Sequence, residues 1–145
     1  WNGGCAQLID DYGHHPTEVS ATLQAARAAF PGRRVVMVYQ PHRYTRTRDQ
    51  FADFVSVLSE GGLLILLDVY AAGEAPIHSA DSHTLANAIR ARGVIDPIVV
   101  SDQGQLPAVL RGVLIDNDVL LMQGAGDIGR LAAALAGAES LEAVQ

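Results

Sequence analysis

The stretch Asp10-Asp11-Tyr12-Gly13-His14-His15-Pro16-Thr17-Glu18 gathers carboxylates, a phenol and two imidazoles into one short segment. It follows the apolar run Ala6-Gln7-Leu8-Ile9 and opens a helical pattern, so this chemistry sits at a strand-to-helix turn. In an open α/β sheet such turns, at the strand carboxyl ends, are where ligands bind. A second turn, Gln40-Pro41-His42-Arg43-Tyr44-Thr45-Arg46-Thr47-Arg48, adds another imidazole and three guanidiniums. Arginine suits a planar, two-pronged grip on carboxylate or phosphate. Arg46 follows Arg43 by three residues, so the two share a face if the helix has already begun. Basic residues at a helix start oppose the macrodipole unless an anion compensates, which points to an anionic ligand. Arg48 has the alternative of an acidic neighbour. A third stretch, Asp68-Val69-Tyr70-Ala71-Ala72-Gly73-Glu74-Ala75-Pro76, brings Asp68, Tyr70 and Glu74 to the same sheet edge. It is long enough to serve as a flap, although an ordinary loop role stands equally for any one of its residues.

Two motifs are discounted. Gly124-Ala125-Gly126-Asp127-Ile128-Gly129 follows a strand and opens a helix, and so matches the GxGxxG dinucleotide fingerprint. That fingerprint requires a further strand ending in an acidic residue about twenty residues on, and the sequence after Gly129 has no room for one. Asp127 within the loop would also repel a pyrophosphate, so the glycines read as close helix–sheet packing. His14, His15, His42 and a carboxylate are a conceivable metal set. Adjacent histidines diverge, however, and no HxxxH or CxxC spacing supports it, so no metal ligand is assigned.

The elements that must position these turns are legible from periodicity. Ala6–Ile9, Val35–Tyr39, Leu63–Leu67, Ile98–Val100 and Val119–Gln123 are short continuous apolar runs, as in strands buried on both faces. Between and after them lie helical patterns: Val19, Leu23, Ala26 and Phe30; Phe51, Phe54, Val55 and Leu58; Leu85 and Ile89; Leu106, Val109, Leu110 and Val113; Ile128, Leu131 and Leu135. Pro16 and Pro107 suit first turns, while Pro31-Gly32 and Gly61-Gly62 end helices. The alternation predicts a three-layer, Rossmann-like α/β domain: a mostly parallel sheet of about five to six strands with helices on both faces.

At 145 residues and 49% hydrophobic, the chain is one domain with a sizeable core. A net charge of −6 without a basic run disfavours nonspecific nucleic-acid binding. No apolar run approaches a membrane span, and no signal peptide is evident. The single Cys5 excludes an internal disulfide, fits a reducing cytoplasm and reads as a small strand residue. All ten basic residues are arginines. The chain begins at Trp1, and Asn2-Gly3-Gly4 reads as a hairpin turn lacking its first strand, so a piece of a longer protein is expected.

Taken in order, the Asp11–Glu18, Gln40–Arg48, Asp68–Pro76 and Gln123–Gly126 segments resemble the C-terminal domain of the Mur ligases of peptidoglycan synthesis. They are most similar to the members that join L-alanine to UDP-N-acetylmuramate, and the second segment is the most specific. The related murein tripeptide ligases share an Asp-x-x-His-His-Pro turn. The family more often has glutamate at Asp68 and asparagine at Asp127.

The resemblance implies that residues 1–137 form the ligand-closing domain and 138–145 a frayed tail. It also implies N-terminal and central domains in the same chain, ATP with Mg2+ bound mainly by the central domain, and a bacterial cytoplasmic enzyme. Its substrates would be ATP, L-alanine and UDP-N-acetylmuramate, and the isolated domain would be inactive. A phosphate-binding loop GxxxxGK[ST] needs a lysine, which is absent here. Carried over by residue, Asp11, Tyr12, His14 and His15 match a nucleotide-contacting turn. His42, Arg43 and Arg46 match the catalytic turn that meets the alanine carboxylate and the reacting phosphoryl group, with Tyr70 and Glu74 on the alanine side. A stand-alone, non-catalytic module binding a small anion is the rival from another class.

Overall fold

The computed structural model describes residues 6–138. The Asn2-Gly3-Gly4 turn, Cys5 and most of the expected tail lie outside them. Five parallel strands, β1 (Ala6–Asp11), β2 (Val35–Tyr39), β3 (Leu63–Leu67), β4 (Ile98–Val100) and β5 (Asp118–Gln123), form one sheet in the order β1-β5-β2-β3-β4. Among the described residues six α-helices accompany them: α1 (Pro16–Ala29), α2 (Tyr44–Asp49), α3 (Phe51–Leu58), α4 (Ser82–Ala91), α5 (Leu106–Val113) and α6 (Ile128–Gly137). This is the three-layer α/β architecture expected from the alternating pattern.

Strand alternation divides the core into two layers. Val35, Met37 and Tyr39 of β2 point to the face covered by α1, α3 and α4, where Leu23, Phe54 and Leu85 pack. Val36 and Val38 point to the opposite face, beneath Leu110 of α5 and Ile128 and Leu135 of α6. Both β2 and β5 are buried along their whole length, which is why they read as unbroken apolar runs. Each fully buried side chain of this kind contributes about 1.5–3 kcal/mol, so the central strands are rigid supports for the turns they carry. At the opposite end of the sheet, Arg34 grips the buried Asp118 through two hydrogen bonds, Nε to Oδ1 at 2.9 Å and an Nη to Oδ2 at 2.6 Å. Asp118 Oδ2 also accepts from Ile115 N–H at 2.8 Å.

The strand order creates the crevice. β5 lies between β1 and β2. The connection leaving β5 enters α6 on one face, and the connection leaving β2 enters α2 and α3 on the other. Loops after adjacent strands therefore diverge at the carboxyl edge, the arrangement that opens a ligand crevice in doubly wound sheets. The turns after β1, β2, β3 and β5 all end there.

Candidate functional site

β1 continues two residues beyond its apolar run, so Asp10 and Asp11 are strand residues with side chains on opposite faces. Asp10 shares the face of Leu8, toward α6; its carboxyl is raised by desolvation and by the neighbouring Asp11. Asp11 turns toward α1. Its Oδ2 accepts from Gly13 N–H (3.1 Å), Thr22 Oγ1 (3.0 Å) and Gln123 Nε2 (2.8 Å). One carboxylate oxygen thus ties together the ends of β1 and β5, the turn and α1. Tyr12 is 71% exposed at the tip of the turn. His15 is the N-cap of α1: its Nδ1 accepts from Thr17 N–H, and Glu18 reaches back to His15 N–H, a reciprocal capping box. On the other side of the ring, His15 Nε2 lies 2.9 Å from the Gln50 side-chain amide nitrogen. His15 is therefore engaged in holding the helix start. His14 is fixed through its backbone, its carbonyl accepting from the buried Tyr39 hydroxyl at 3.2 Å.

In the second turn the structure departs from the expected geometry. The helix begins at Tyr44, and Arg43 is its N-cap, with φ 70 and ψ 136. Arg43 and Arg46 therefore do not share a face through helical spacing. A residue with a Cβ at positive φ is strained by about 1–2 kcal/mol, and such strain concentrates at functional sites. Arg46 lies in the helix with an Nη 3.1 Å from His42 Nδ1 and 3.4 Å from the His42 carbonyl. A guanidinium can only donate, so Nδ1 is the acceptor and His42 carries its proton on Nε2. Burial first, then the charges of Arg46, His14 and Arg43, hold the His42 imidazole below its ordinary value, against an upward pull from Glu74. Arg48 pairs with exposed Asp49 at 2.9 Å. Among the described residues, no carboxylate lies within ion-pair distance of Arg43 or Arg46.

The third turn packs directly on the second. Tyr70 pairs with His42 in an isolated parallel bridge beyond the ends of β2 and β3, one residue out of their register. Glu74 accepts from the backbone and the hydroxyl of Thr45 at the start of α2. The helix start thus already has an internal carboxylate, which offsets part of the dipole clash expected to require an external anion. Asp68 is exposed and turns toward Tyr44, whose phenol is pushed up first by desolvation, then by Asp68 and Asp81. These groups border a separate 190 Å3 cavity that also includes His78, His83 and Ser101.

The glycine-rich turn is a packing device. A Cβ on Gly124 would lie 2.8 Å from the Gln40 carbonyl oxygen, and one on Gly126 would lie 2.6 Å from Gln40 Oε1 and 2.7 Å from Tyr70 Cγ. Gln40 occupies the position a pyrophosphate would need: its Oε1 accepts from Ile128 N–H at the start of α6, and its Nε2 donates to Asp127. Desolvation raises the Asp127 carboxyl, but hydrogen bonds from Gln40 and Gln103 outweigh it, and the net shift is downward.

Four rings link the three polar turns into a row across the crevice. Centroid separations are 5.8 Å for Tyr12–His14, 5.7 Å for His14–His42 and 5.5 Å for the stacked His42–Tyr70 pair. Every site residue expected from the sequence therefore lies at one sheet edge. Asp11, His15 and Glu74 hold the framework, while Tyr12, His14, His42, Arg43, Arg46 and Tyr70 carry the rings and guanidiniums. Gln40, Thr45 and Gln123 were missed. The only available signal was a polar residue at the end of a wholly apolar strand, as for Gln40 after Tyr39 and Gln123 after Met122.

An open parallel α/β domain with polar turns converging at its carboxyl edge has the layout in which doubly wound domains bind ligands. Residues 2–126 match the family described as Mur ligase, glutamate ligase domain, and the chain belongs to that family. It superposes on UDP-N-acetylmuramate-alanine ligase MurC from Thermotoga maritima with TM-score 0.69 and 26% identity, over 88% of this chain and 25% of that one. The chain therefore spans about a quarter of that protein's length. The match to a murein peptide ligase from Psychrobacter arcticus has TM-score 0.70 at 16% identity, over 95% of this chain and 29% of that one. A single domain from Haemophilus ducreyi, assigned to a UDP-N-acetylmuramate:L-alanyl-gamma-D-glutamyl-meso-diaminopimelate ligase, matches over 100% of this chain and 96% of its own, with TM-score 0.68 and 19% identity. The latter two likenesses show the fold alone.

Proposed function

We propose that this chain is the C-terminal, ligand-closing domain of an ATP-dependent ligase that joins L-alanine to UDP-N-acetylmuramate in peptidoglycan synthesis. The observation that carries the reading is the Arg43–Arg46 pair. These two guanidiniums lack an ion-pair partner among the described residues and belong to the turn that carries His42, against which Arg46 rests and whose ring joins those of the other two polar turns. They suit a carboxylate and a phosphoryl group side by side, which is what an amino acid attacking an acyl phosphate presents. Their contribution is positioning and charge stabilisation rather than covalent chemistry. His42, protonated on Nε2, offers a neutral donor beside them. Tyr70 stacks on His42 and walls the alanine side.

Exposed Tyr12 provides a face for a base or sugar, and Asp11, His14 and His15 shape the turn beneath it. These residues fit the nucleoside end of ATP. The described residues bring together no group of three His, Cys, Asp or Glu suited to a metal ion, and the chain has no lysine for a phosphate-binding loop. We assign the triphosphate and Mg2+ to another domain of the same chain, where they activate the sugar carboxylate. No helix among the described residues is long and apolar enough to cross a membrane, in keeping with a cytoplasmic enzyme.

The test is Arg46→Ala, and separately Arg43→Ala, in the full-length enzyme, with alanine and ATP varied independently. Losing a charge-assisted hydrogen bond removes about 1.5–3 kcal/mol, or roughly ten- to a hundredfold at about 1.4 kcal/mol per tenfold. Arg46→Ala is expected to raise the alanine constant by this factor with little change for the UDP-sugar. Arg43→Ala is expected to affect alanine and turnover together. Unchanged kinetics in both variants overturn the anion-site reading. Turnover with a free tripeptide but not with L-alanine overturns the alanine assignment.

A further inference from the structure

One carboxylate fastens together two of the turns that face the crevice. Glu74 leaves the loop after β3 and reaches Thr45, its Oε1 accepting from Thr45 N–H at 3.1 Å and its Oε2 from the Thr45 hydroxyl at 2.5 Å. The same loop grips the other end of the arginine turn. Arg43 N–H donates to the Tyr70 carbonyl, and Tyr70 N–H donates to the Pro41 carbonyl, both at 2.8 Å. Between these two clamps Arg43 holds its positive φ of 70. A residue with a side chain does not keep that conformation by propensity; it persists only where its surroundings over-determine it. α2 is only six residues long and has no side-chain cap from its own N-cap residue, so its start depends on the neighbouring loop.

We propose that Glu74 is a positioning residue, which pins Thr45 and thereby sets the directions of Arg43 and Arg46 toward the substrate anion, instead of binding the amino group of the incoming amino acid. This rests on the ligase reading for its kinetic consequence but not for its structural one. Both oxygens of Glu74 are turned to Thr45. These bonds, the Thr45 hydroxyl foremost, keep the carboxyl below its ordinary value, with Arg43 adding a weaker pull in the same direction. A carboxylate that stays charged and doubly engaged fixes a turn in the absence of substrate.

The experiment uses the full-length protein carrying Glu74→Ala, Glu74→Gln, Thr45→Val and the Glu74→Ala/Thr45→Val pair. Hydrogen exchange of the peptide spanning residues 43–47, measured without substrates, is expected to quicken in Glu74→Ala and to stay near wild type in Glu74→Gln, whose amide oxygen still accepts from Thr45 N–H. In turnover, displacing the arginines is expected to raise the amino-acid constant on the order of tenfold to a hundredfold. The double variant should be no worse than Glu74→Ala, because the hydroxyl acts through the carboxylate. Glu74→Gln should recover most of the loss, although a neutral amide cannot pair with an ammonium. Unchanged exchange in Glu74→Ala overturns the latch. Multiplying defects in the double variant, or a Gln variant as poor as Ala, overturn it in favour of direct substrate contact. If the wild-type protein forms no amide bond, the ligase reading fails while the exchange measurement still decides the latch.

Discussion

Adding one methyl group at Gly126 tests the close packing that organises the crevice. In Gly126→Ala the new Cβ would meet Gln40 Oε1 at 2.6 Å and the Cγ and Cβ of Tyr70 at 2.7 and 2.8 Å. Neither neighbour can yield easily. Gln40 is 1% exposed and is held by Ile128 N–H at 3.1 Å and Asp127 at 2.6 Å. Tyr70 is fixed through its backbone to Pro41 and Arg43. Overpacking of this kind costs about 1–3 kcal/mol. Displacing Gln40 would also leave the buried Ile128 N–H unpaired, at a further cost of about 1–3 kcal/mol. One relaxation relieves both clashes, so the effects do not add fully, and the expected loss is about 2–4 kcal/mol. In a domain of this size about 1 kcal/mol moves Tm by roughly 2–4 °C, so the variant should melt about 4–16 °C below wild type. Thermal and urea denaturation of the 145-residue chain read this directly. Gly112→Ala is the control. Gly112 lies in α5 with nothing within 4 Å of its added Cβ, so the change should stabilise by about 0.5–1 kcal/mol. A Gly126→Ala variant within about 0.5 kcal/mol of wild type, the range of an ordinary surface substitution, refutes the packing argument.

The same packing predicts that NAD does not bind the glycine-rich turn, since Gln40 already takes the Ile128 N–H; saturable shifts of the Gly124, Gly126 and Ile128 amides at micromolar NAD would contradict it. Asp118→Ala should destabilise by about 1–3 kcal/mol, because it leaves Ile115 N–H without its acceptor, while Arg34, 37% exposed, keeps the Val113 carbonyl and turns to water; denaturant titration measures the loss, and a change under about 0.5 kcal/mol refutes it. The His42 ring should titrate below 6.5, so its contribution to stability is intact above that value and is lost as pH falls through the lowered folded value. Ring-proton NMR across pH 4–8 checks this, and a midpoint at or above 6.5 would overturn the account of the cationic cluster.

The layers of this domain were legible because they follow from local periodicity. Val35–Tyr39 had to be a strand buried on both faces, and Phe51, Phe54, Val55 and Leu58 had to be one helical stripe, whatever surrounded them. The chemical residues were legible too, since polar groups stood at the ends of apolar strands. Their division of labour was not. Arg43 and Arg46 look like helix neighbours in sequence, yet Arg43 is the cap and lies outside the helix. Asp11 and His15 look like ligand contacts, yet their hydrogen bonds hold the turn and α1. Glu74 is twenty-nine residues from Thr45 and meets it only because β3 lies beside β2. Which segments are strands and helices, and which residue types lie at their carboxyl ends, follow from burial patterns that repeat over a few residues. Long-range packing set the insertion of β5 between β1 and β2, the Tyr12–His14–His42–Tyr70 row, and which carboxylates face inward to hold the site. Those outcomes depend on contacts between segments far apart in the chain, which no local pattern encodes.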